Sequence, residues 1–330
     1  MQIEEFTLKL TSPAFMGNAE QKGQWRTPPI KALLRQWWRV AYAAQHGFKI
    51  SVPDMRQKEG RLFGFAADIG LKNGQGDSLQ AQQSLLRLRL MEAKGKNPWT
   101  LGSQQGVAPL SDKLDTSYAW FGLIKRGNNG PDKTAIKPDD IEGRRLLKLA
   151  LPEQHWPQIQ QSLQLINQFA TLGSRSRGGW GSLQLEGVEP LTAAQLNKYA
   201  RPLDQCLADD WAMSLAVDSH GLLCWQSNKA YKDWAAAMSF IALQRKLVRG
   251  ELKLPQNRRE AVGFANSNGR MPSPLRWKVV PKAAGVQVIA FALPHQIPSD
   301  SRVRMPPQLL SSAWQTVAQT LDASDFSRLK

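Results

Sequence analysis

Apolar residues recur along the chain with two different periods, which predict strands separated by helices. The segment Phe6-Thr7-Leu8-Lys9-Leu10 alternates apolar and polar residues, as expected for a half-buried strand. Over 27–46 the apolar positions recur every three or four residues instead, and Gly47 ends this predicted helix. Helical spacing returns over about 157–172, and a second alternating segment follows at 180–185.

The second half of the chain repeats this order of elements. Strands are predicted at 211–217 and 222–226, a long helix at about 231–249, strands at 275–280 and 286–292, and a final helix at about 307–321. Strand–helix–strand order that occurs twice predicts an α+β protein with two tandem ferredoxin-like (RRM-type) domains. We expect the domains to comprise residues 1–200 and 201–330.

Two polar stretches interrupt the first predicted domain. Residues 70–115 are rich in Gly, Gln, Ser and Lys, and we expect an inserted, mobile segment that holds a strand at about 84–91. A second polar loop is predicted at 126–140.

The charge of the chain narrows the choice of ligand. The sequence has 43 basic and 27 acidic residues, a net charge of +16, and both halves carry the excess. A folded, strongly basic chain favours a polyanion, most often nucleic acid. The alternative is a soluble protein that is merely basic.

The sequence lacks the patterns typical of metal-binding, redox-active and membrane-spanning proteins. Cys206 and Cys224 form no C-x-x-C pair, and the four histidines lack metal-binding or catalytic spacing. No paired carboxylates stand out, and no apolar run approaches the roughly 18 residues of a membrane span. We therefore expect a cytoplasmic protein with no catalytic residue, metal or cofactor.

The first candidate site is a glycine-rich loop between a predicted helix and a predicted strand. Glycines allow close backbone approach, N–H groups can cradle phosphate, and arginines add charged hydrogen bonds. A Walker A loop and a Rossmann fingerprint both need a helix after the loop, so neither fits. The alternative is a hairpin entry with solvated arginines, and Trp180 is expected in the core. The candidate contacts are Gly173, Ser174, Arg175, Ser176, Arg177, Gly178 and Gly179.

The second candidate is a basic stripe on the first helix. Lys31, Arg35 and Arg39 recur every four residues, and such cations repel one another unless an anion neutralises them. No acidic residue lies between Gln21 and Pro53, so a partner within the chain must be distant in sequence. RNA phosphate and a solvated helix face both remain open.

A third candidate is the basic loop at 257–270. Arg258, Arg259 and Arg270 are predicted to contact RNA or a partner subunit, with a solvated flexible loop as the alternative.

Several segments together resemble a known family. Residues 11–19, the stretch from Trp25 to Arg39, Leu62-Phe63-Gly64, the glycine-rich loop and residues 270–275 resemble the RAMP proteins of CRISPR systems. More narrowly, they resemble the first subunit of the type III-B Cmr effector complex.

The resemblance implies a non-catalytic RNA-binding subunit that contacts the 3′ part of CRISPR RNA and paired target RNA. Other Cmr-type RAMP subunits would be its partners. It places Arg26 with Lys31, Arg35 and Arg39 at the family's basic positions, and Arg175 and Arg177 in its glycine loop. RRM-type aromatic stacking motifs are not evident, which argues against base stacking on the sheet.

Two other functions stay open at this stage. Some RAMP proteins are metal-independent endoribonucleases that process CRISPR RNA, and His46 would be the best candidate for a general base. A protein-binding scaffold whose charge serves solubility is the third hypothesis.

Overall fold

The computed structural model describes residues 1–20, 22–66, 76, 81–91, 117–120, 123 and 134–329. Most of the predicted insert at 70–115 and the first part of the predicted loop at 126–140 lie outside these residues. The strand predicted inside the insert lies within them and is confirmed.

The first half of the chain forms a four-stranded antiparallel sheet. Its strand order is β2-β3-β1-β4, which is the order of a ferredoxin-like fold and confirms the prediction. The elements are β1 (Gln2–Leu10), α1 (Thr27–Gln45), α2 (Val52–Phe63), β2 (Arg87–Met91), α3 (Ser117–Trp120), β3 (Arg144–Leu151), α4 (Trp156–Phe169) and β4 (Leu183–Glu186).

A small three-stranded sheet follows the first domain. Its strand β6 pairs in parallel with β5 and antiparallel with β7. The strand predicted from residue 211 begins only at Leu215. The predicted domain boundary after residue 200 falls within β5 and stays a prediction. The elements here are α5 (Ala193–Leu196), β5 (Ala200–Pro202), α6 (Leu203–Leu207), β6 (Leu215–Asp218) and β7 (Gly221–Leu222).

The second half repeats the fold of the first. Its sheet has the order β11-β12-β8-β13. The four strands in chain order, β8, β11, β12 and β13, therefore occupy the same places in their sheet as β1, β2, β3 and β4 do in the first sheet. The predicted basic loop at 257–270 contains a short hairpin, β9–β10. The elements are β8 (Cys224–Ser227), α7 (Trp234–Glu251), β9 (Phe264–Asn266), β10 (Gly269–Met271), β11 (Leu275–Lys282), β12 (Gly285–Ala292), α8 (Pro307–Asp322) and β13 (Phe326–Arg328).

The second sheet is buried on both faces. On β12, Val288 and Ala290 pack into the core of the second domain, whereas Ile289 and Phe291 belong to the core of the first. The ring of Phe291 lies 6.2 Å from Trp37 of α1 and 4.5 Å from Phe169 of α4, centroid to centroid. Helices of the first domain therefore cover the face that RRM-type proteins use to stack bases.

The open face of the first sheet is charged rather than aromatic. Lys9 pairs with Asp140 at 3.3 Å, Lys148 of β3 pairs with Glu5 of β1 at 2.8 Å, and Arg144 pairs with Glu186 of β4. Along the strands that the structure describes, this face carries no aromatic side chain. The described strands of these two sheets therefore present no open aromatic face to bases.

Strand β11 joins the two domains through a buried lysine. Lys278 is fully enclosed, and its Nζ donates hydrogen bonds to the backbone carbonyls of Ile166 and Asn167 at the C-terminal end of α4. A cation at this end of a helix interacts favourably with the helix dipole. Burial nevertheless lowers the pKa of Lys278 to about 7.

Candidate nucleic-acid interface

The basic stripe on α1 has an acidic partner in the next helix. Glu59 of α2 is only 2% exposed, and its carboxylate accepts hydrogen bonds from both Arg35 and Arg39. An acidic partner distant in sequence therefore exists, but its one carboxylate is shared by two guanidinium groups. Lys31 has no part in this pairing, and burial together with repulsion from Arg35 lowers its pKa.

The stripe forms one wall of a groove between the two domains, which we call the α1 groove. Its volume is about 750 Å³, and Arg177 of the glycine-rich loop and Arg276 of β11 face α1 across it. Five cationic side chains thus converge on a groove in which Asp210 is the one carboxylate among the described lining residues. The lining residues are Pro28, Lys31, Ala32, Arg35, Gln36, Arg39, Arg177, Asp210, Trp211, Ala212, Pro272, Arg276 and His295.

Arg276 is the most unusual cation of the α1 groove. Its side chain is 8% exposed, and its buried Nε has no hydrogen-bond partner. In the part of the chain that the structure describes, it forms no ion pair. Burial lowers the pKa of Arg276 well below its ordinary value, and Arg177 lowers it further. A buried guanidinium without a counter-ion is costly, so this position favours an anion from outside.

Arg177 is held over the α1 groove by the strand that carries Arg276. Its backbone carbonyl accepts from the N–H of Trp277 at 3.1 Å, and its Nη1 donates to the carbonyl of Ser273 at 3.2 Å. Burial lowers the pKa of Arg177 to about 10. The guanidinium is thus fixed in place by the second domain rather than by a carboxylate.

His295 also lines the α1 groove, although no sequence pattern predicts this position. Its Nδ1 lies 2.8 Å from the carbonyl oxygen of Gln296, which can only accept, so Nδ1 carries the proton. Burial lowers the pKa of His295, and Arg177 and Arg276 lower it further. The sequence favoured His46 as a general base, but His46 lies at the end of α1 and outside the groove lining.

The inner half of the glycine-rich loop anchors the two domains. Gly178, Gly179 and Trp180 are buried, and the indole of Trp180 donates to the carbonyl of Ala119 at 2.9 Å. Trp180 is therefore a core residue, as predicted. The N–H groups of Gly178 and Gly179 already donate to carbonyls of the loop itself. These two N–H groups are therefore engaged within the loop, and contact of Gly178 and Gly179 with RNA stays a prediction.

The outer half of the loop is accessible. Gly173 and Arg175 are exposed, and Ser174 and Ser176 are half-buried. Arg175 has φ near +56°, a conformation that side chains other than glycine rarely adopt. It lines a second cavity rather than the α1 groove.

The remaining predicted contacts differ in their environment. Arg26 donates to the carbonyl of Gly17 at 2.8 Å, and Arg259 binds Asn257; neither lines the α1 groove. Arg258 is 7% exposed and binds Ser312, Thr316 and Leu254. Its guanidinium joins the segment after α7 to α8, and a contact of Arg258 with RNA stays a prediction.

Within the described ranges, no group of three His, Cys, Asp or Glu side chains is placed to hold a metal ion. No helix in that part of the chain combines the length and the apolar character that crossing a membrane requires.

The protein has two tandem ferredoxin-like domains, and a glycine-rich loop follows α4 of the first domain. These two features define its class. The chain belongs to the RAMP superfamily, whose family model matches residues 7–184. No curated protein matches the sequence.

Solved structures share the fold along nearly the whole chain. Cmr1 from Pyrococcus furiosus, in its apo form, aligns with a TM-score of 0.55 and 17% identity over 97% of both chains. A chain of the type III-B Cmr-beta complex bound to cognate target RNA and AMPPnP aligns with a TM-score of 0.52 and 11% identity. That alignment covers 96% of this chain and 98% of the other.

Proposed function

We propose that this protein is a non-catalytic RNA-binding subunit of a type III-B CRISPR ribonucleoprotein effector. The α1 groove holds the phosphate backbone of the 3′ part of the CRISPR RNA or of the target RNA paired with it. Other Cmr-type RAMP subunits are its partners in the cytoplasm, where it supports assembly for RNA-guided RNA interference. The family membership supports this proposal, as does the fold shared with Cmr1 and with a chain of the Cmr-beta complex, whose structure was determined with target RNA bound to the complex.

The observation that carries the proposal is Arg276 at the bottom of a groove lined by cations. Phosphate is the anion whose shape matches a guanidinium with two parallel hydrogen bonds. The other four cations of the groove come from the first domain and Arg276 comes from the second, so a strand of RNA bound there contacts both. Because phosphate contacts carry no sequence information, binding of this kind tolerates many RNA sequences.

Removing the stripe on α1 tests the groove directly. Replacing Lys31, Arg35 and Arg39 by Ala should weaken binding of single-stranded RNA at least tenfold and make the salt dependence shallower by about 2, since three phosphate contacts disappear. Fluorescence anisotropy over a series of salt concentrations measures both quantities. The variant also carries Glu59→Gln, so that no unpaired carboxylate stays buried.

Glu59→Gln alone is the matched control. It keeps all three cations and removes the acid that competes for two of them, so RNA affinity should equal or exceed that of the wild type. If the combined variant binds RNA with the wild-type affinity and salt dependence, the α1 groove is not the RNA site.

The second candidate function is that of an endoribonuclease that processes CRISPR RNA. The position of His295 in the α1 groove favours this function. Its unprotonated Nε2 is suited to a general base, and it lies among cations that would bind the scissile phosphate. Under our proposal, repeat-containing RNA stays intact when it is incubated with the purified protein in EDTA. Discrete products that disappear with His295→Ala would instead establish the nuclease.

A further inference from the structure

A second cavity of about 660 Å³ lies beside the α1 groove, and four arginines line it. We call it the arginine pocket; its cations are Arg175, Arg245, Arg249 and Arg270. None of the described residues that line it is acidic. A concave site with four positive charges, and with no carboxylate among its described lining residues, concentrates anions.

Two of these arginines are fixed from behind by uncharged groups. Arg249 donates through Nη1 to the carbonyl of Gly263 at 3.2 Å. The guanidinium of Arg245 lies over the ring of Tyr118, 5.1 Å from its centroid. Both guanidinium groups are thus held in position by uncharged partners, and no acid among the described lining residues neutralises them.

The arginines of the arginine pocket repel one another. Burial lowers the pKa of Arg245 to about 10, and repulsion from Arg175 and Arg249 contributes. Gly178 allows this close placement, because a Cβ at that position would lie 2.7 Å from Nη1 of Arg245. A bound anion would relieve the repulsion.

The arginine pocket and the α1 groove share a wall. Pro272 lines both cavities, and the glycine-rich loop sends Arg175 into the pocket and Arg177 into the groove. The left-handed backbone at Arg175 accompanies this divergence. One short loop thus connects two cationic cavities that meet at a single residue.

We infer that the arginine pocket is a second phosphate subsite, and that RNA leaving the α1 groove crosses Pro272 to enter it. This inference rests on the proposed function and extends it. The ligand is a phosphate group, either an internal phosphodiester or the phosphate at an RNA end. Arg175 and Arg270 at the exposed rim bind it, and Arg245 and Arg249 hold the positive potential behind them.

The test replaces the two exposed arginines, Arg175→Gln with Arg270→Gln. The variant should bind single-stranded RNA of about 20 nucleotides roughly tenfold more weakly, with a salt dependence shallower by about 1. It should bind an oligonucleotide of about 6 nucleotides, which the α1 groove alone accommodates, as the wild type does. Arg56→Gln with Arg61→Gln is the matched control, because both side chains are exposed on α2 and line neither cavity.

Each oligonucleotide is measured with a 3′-phosphate and with a 3′-hydroxyl. A loss that appears only with the 3′-phosphate identifies a terminal phosphate as the ligand, and a loss with both ends identifies an internal one. Unchanged affinity for every RNA would overturn the inference while leaving the α1 groove intact. Failure of the wild-type protein to bind any RNA would instead contradict the proposed function.

Discussion

Replacing Arg276 with methionine is expected to weaken RNA binding about 100-fold, because a buried charge-assisted contact to phosphate contributes roughly 2–3 kcal/mol. The same change should stabilise the free protein by about 1–2 kcal/mol, since it removes a buried charge that no described residue neutralises. Methionine keeps much of the length of the side chain and leaves no large cavity. Opposite effects on binding and stability are expected of a residue retained for its ligand.

Anisotropy with single-stranded RNA and urea denaturation measure the two effects on one preparation. Arg144→Met is the matched control, because Arg144 is a half-buried arginine whose charge already pairs with Glu186. It should leave RNA binding near the wild-type value and should not stabilise the protein. If Arg276→Met lowers stability and binds RNA normally, Arg276 is a structural residue and the α1 groove loses its main support.

Gly181→Ala is expected to destabilise the protein by more than about 3 kcal/mol. A Cβ at this position would lie 1.9 Å from the backbone oxygen of Leu172, and the residue has φ near +65°. Relief by movement is blocked, since the N–H of Gly181 donates to Pro13 and its carbonyl accepts from Leu172, both at 2.8 Å. The change therefore breaks the junction where β1, the glycine-rich loop and β4 meet.

Urea denaturation followed by circular dichroism gives the loss of stability. Gly187→Ala separates backbone strain from the clash, because Gly187 has φ near +78° but no atom within 4 Å of the added Cβ. Its expected cost is only about 1 kcal/mol. Equal stability for the two variants would show that the close contact at Gly181 is relieved at no cost.

The tandem ferredoxin-like fold was predictable because most elements bury one face only. Such elements keep a clear period, as in Phe6–Leu10 of β1 and the apolar face of α1. The covering of the second sheet was less evident, although the nearly continuous apolar run from Val288 to Leu293 is typical of a strand buried on both sides. Which helices would cover it depends on contacts between residues more than 100 positions apart.

The residues that line the α1 groove were predictable only where the pattern within a single helix or loop identifies them. The stripe of Lys31, Arg35 and Arg39 follows from helical spacing alone, and Arg177 follows from the glycine-rich loop. Arg276 and His295 reach the α1 groove through the packing of one domain on the other, which no local pattern encodes. One signal was available: Arg276 and Lys278 interrupt the apolar strand β11 on a single face.

The covered second sheet also determines how this protein can be divided. The two ferredoxin-like halves look like repeats, yet cutting the chain between them would leave Ile289, Phe291 and Leu293 without the helices that shield them. An isolated second half would present an apolar sheet surface to water and would tend to aggregate. The halves are thus one cooperative unit, and neither is a module that can be moved alone into another protein.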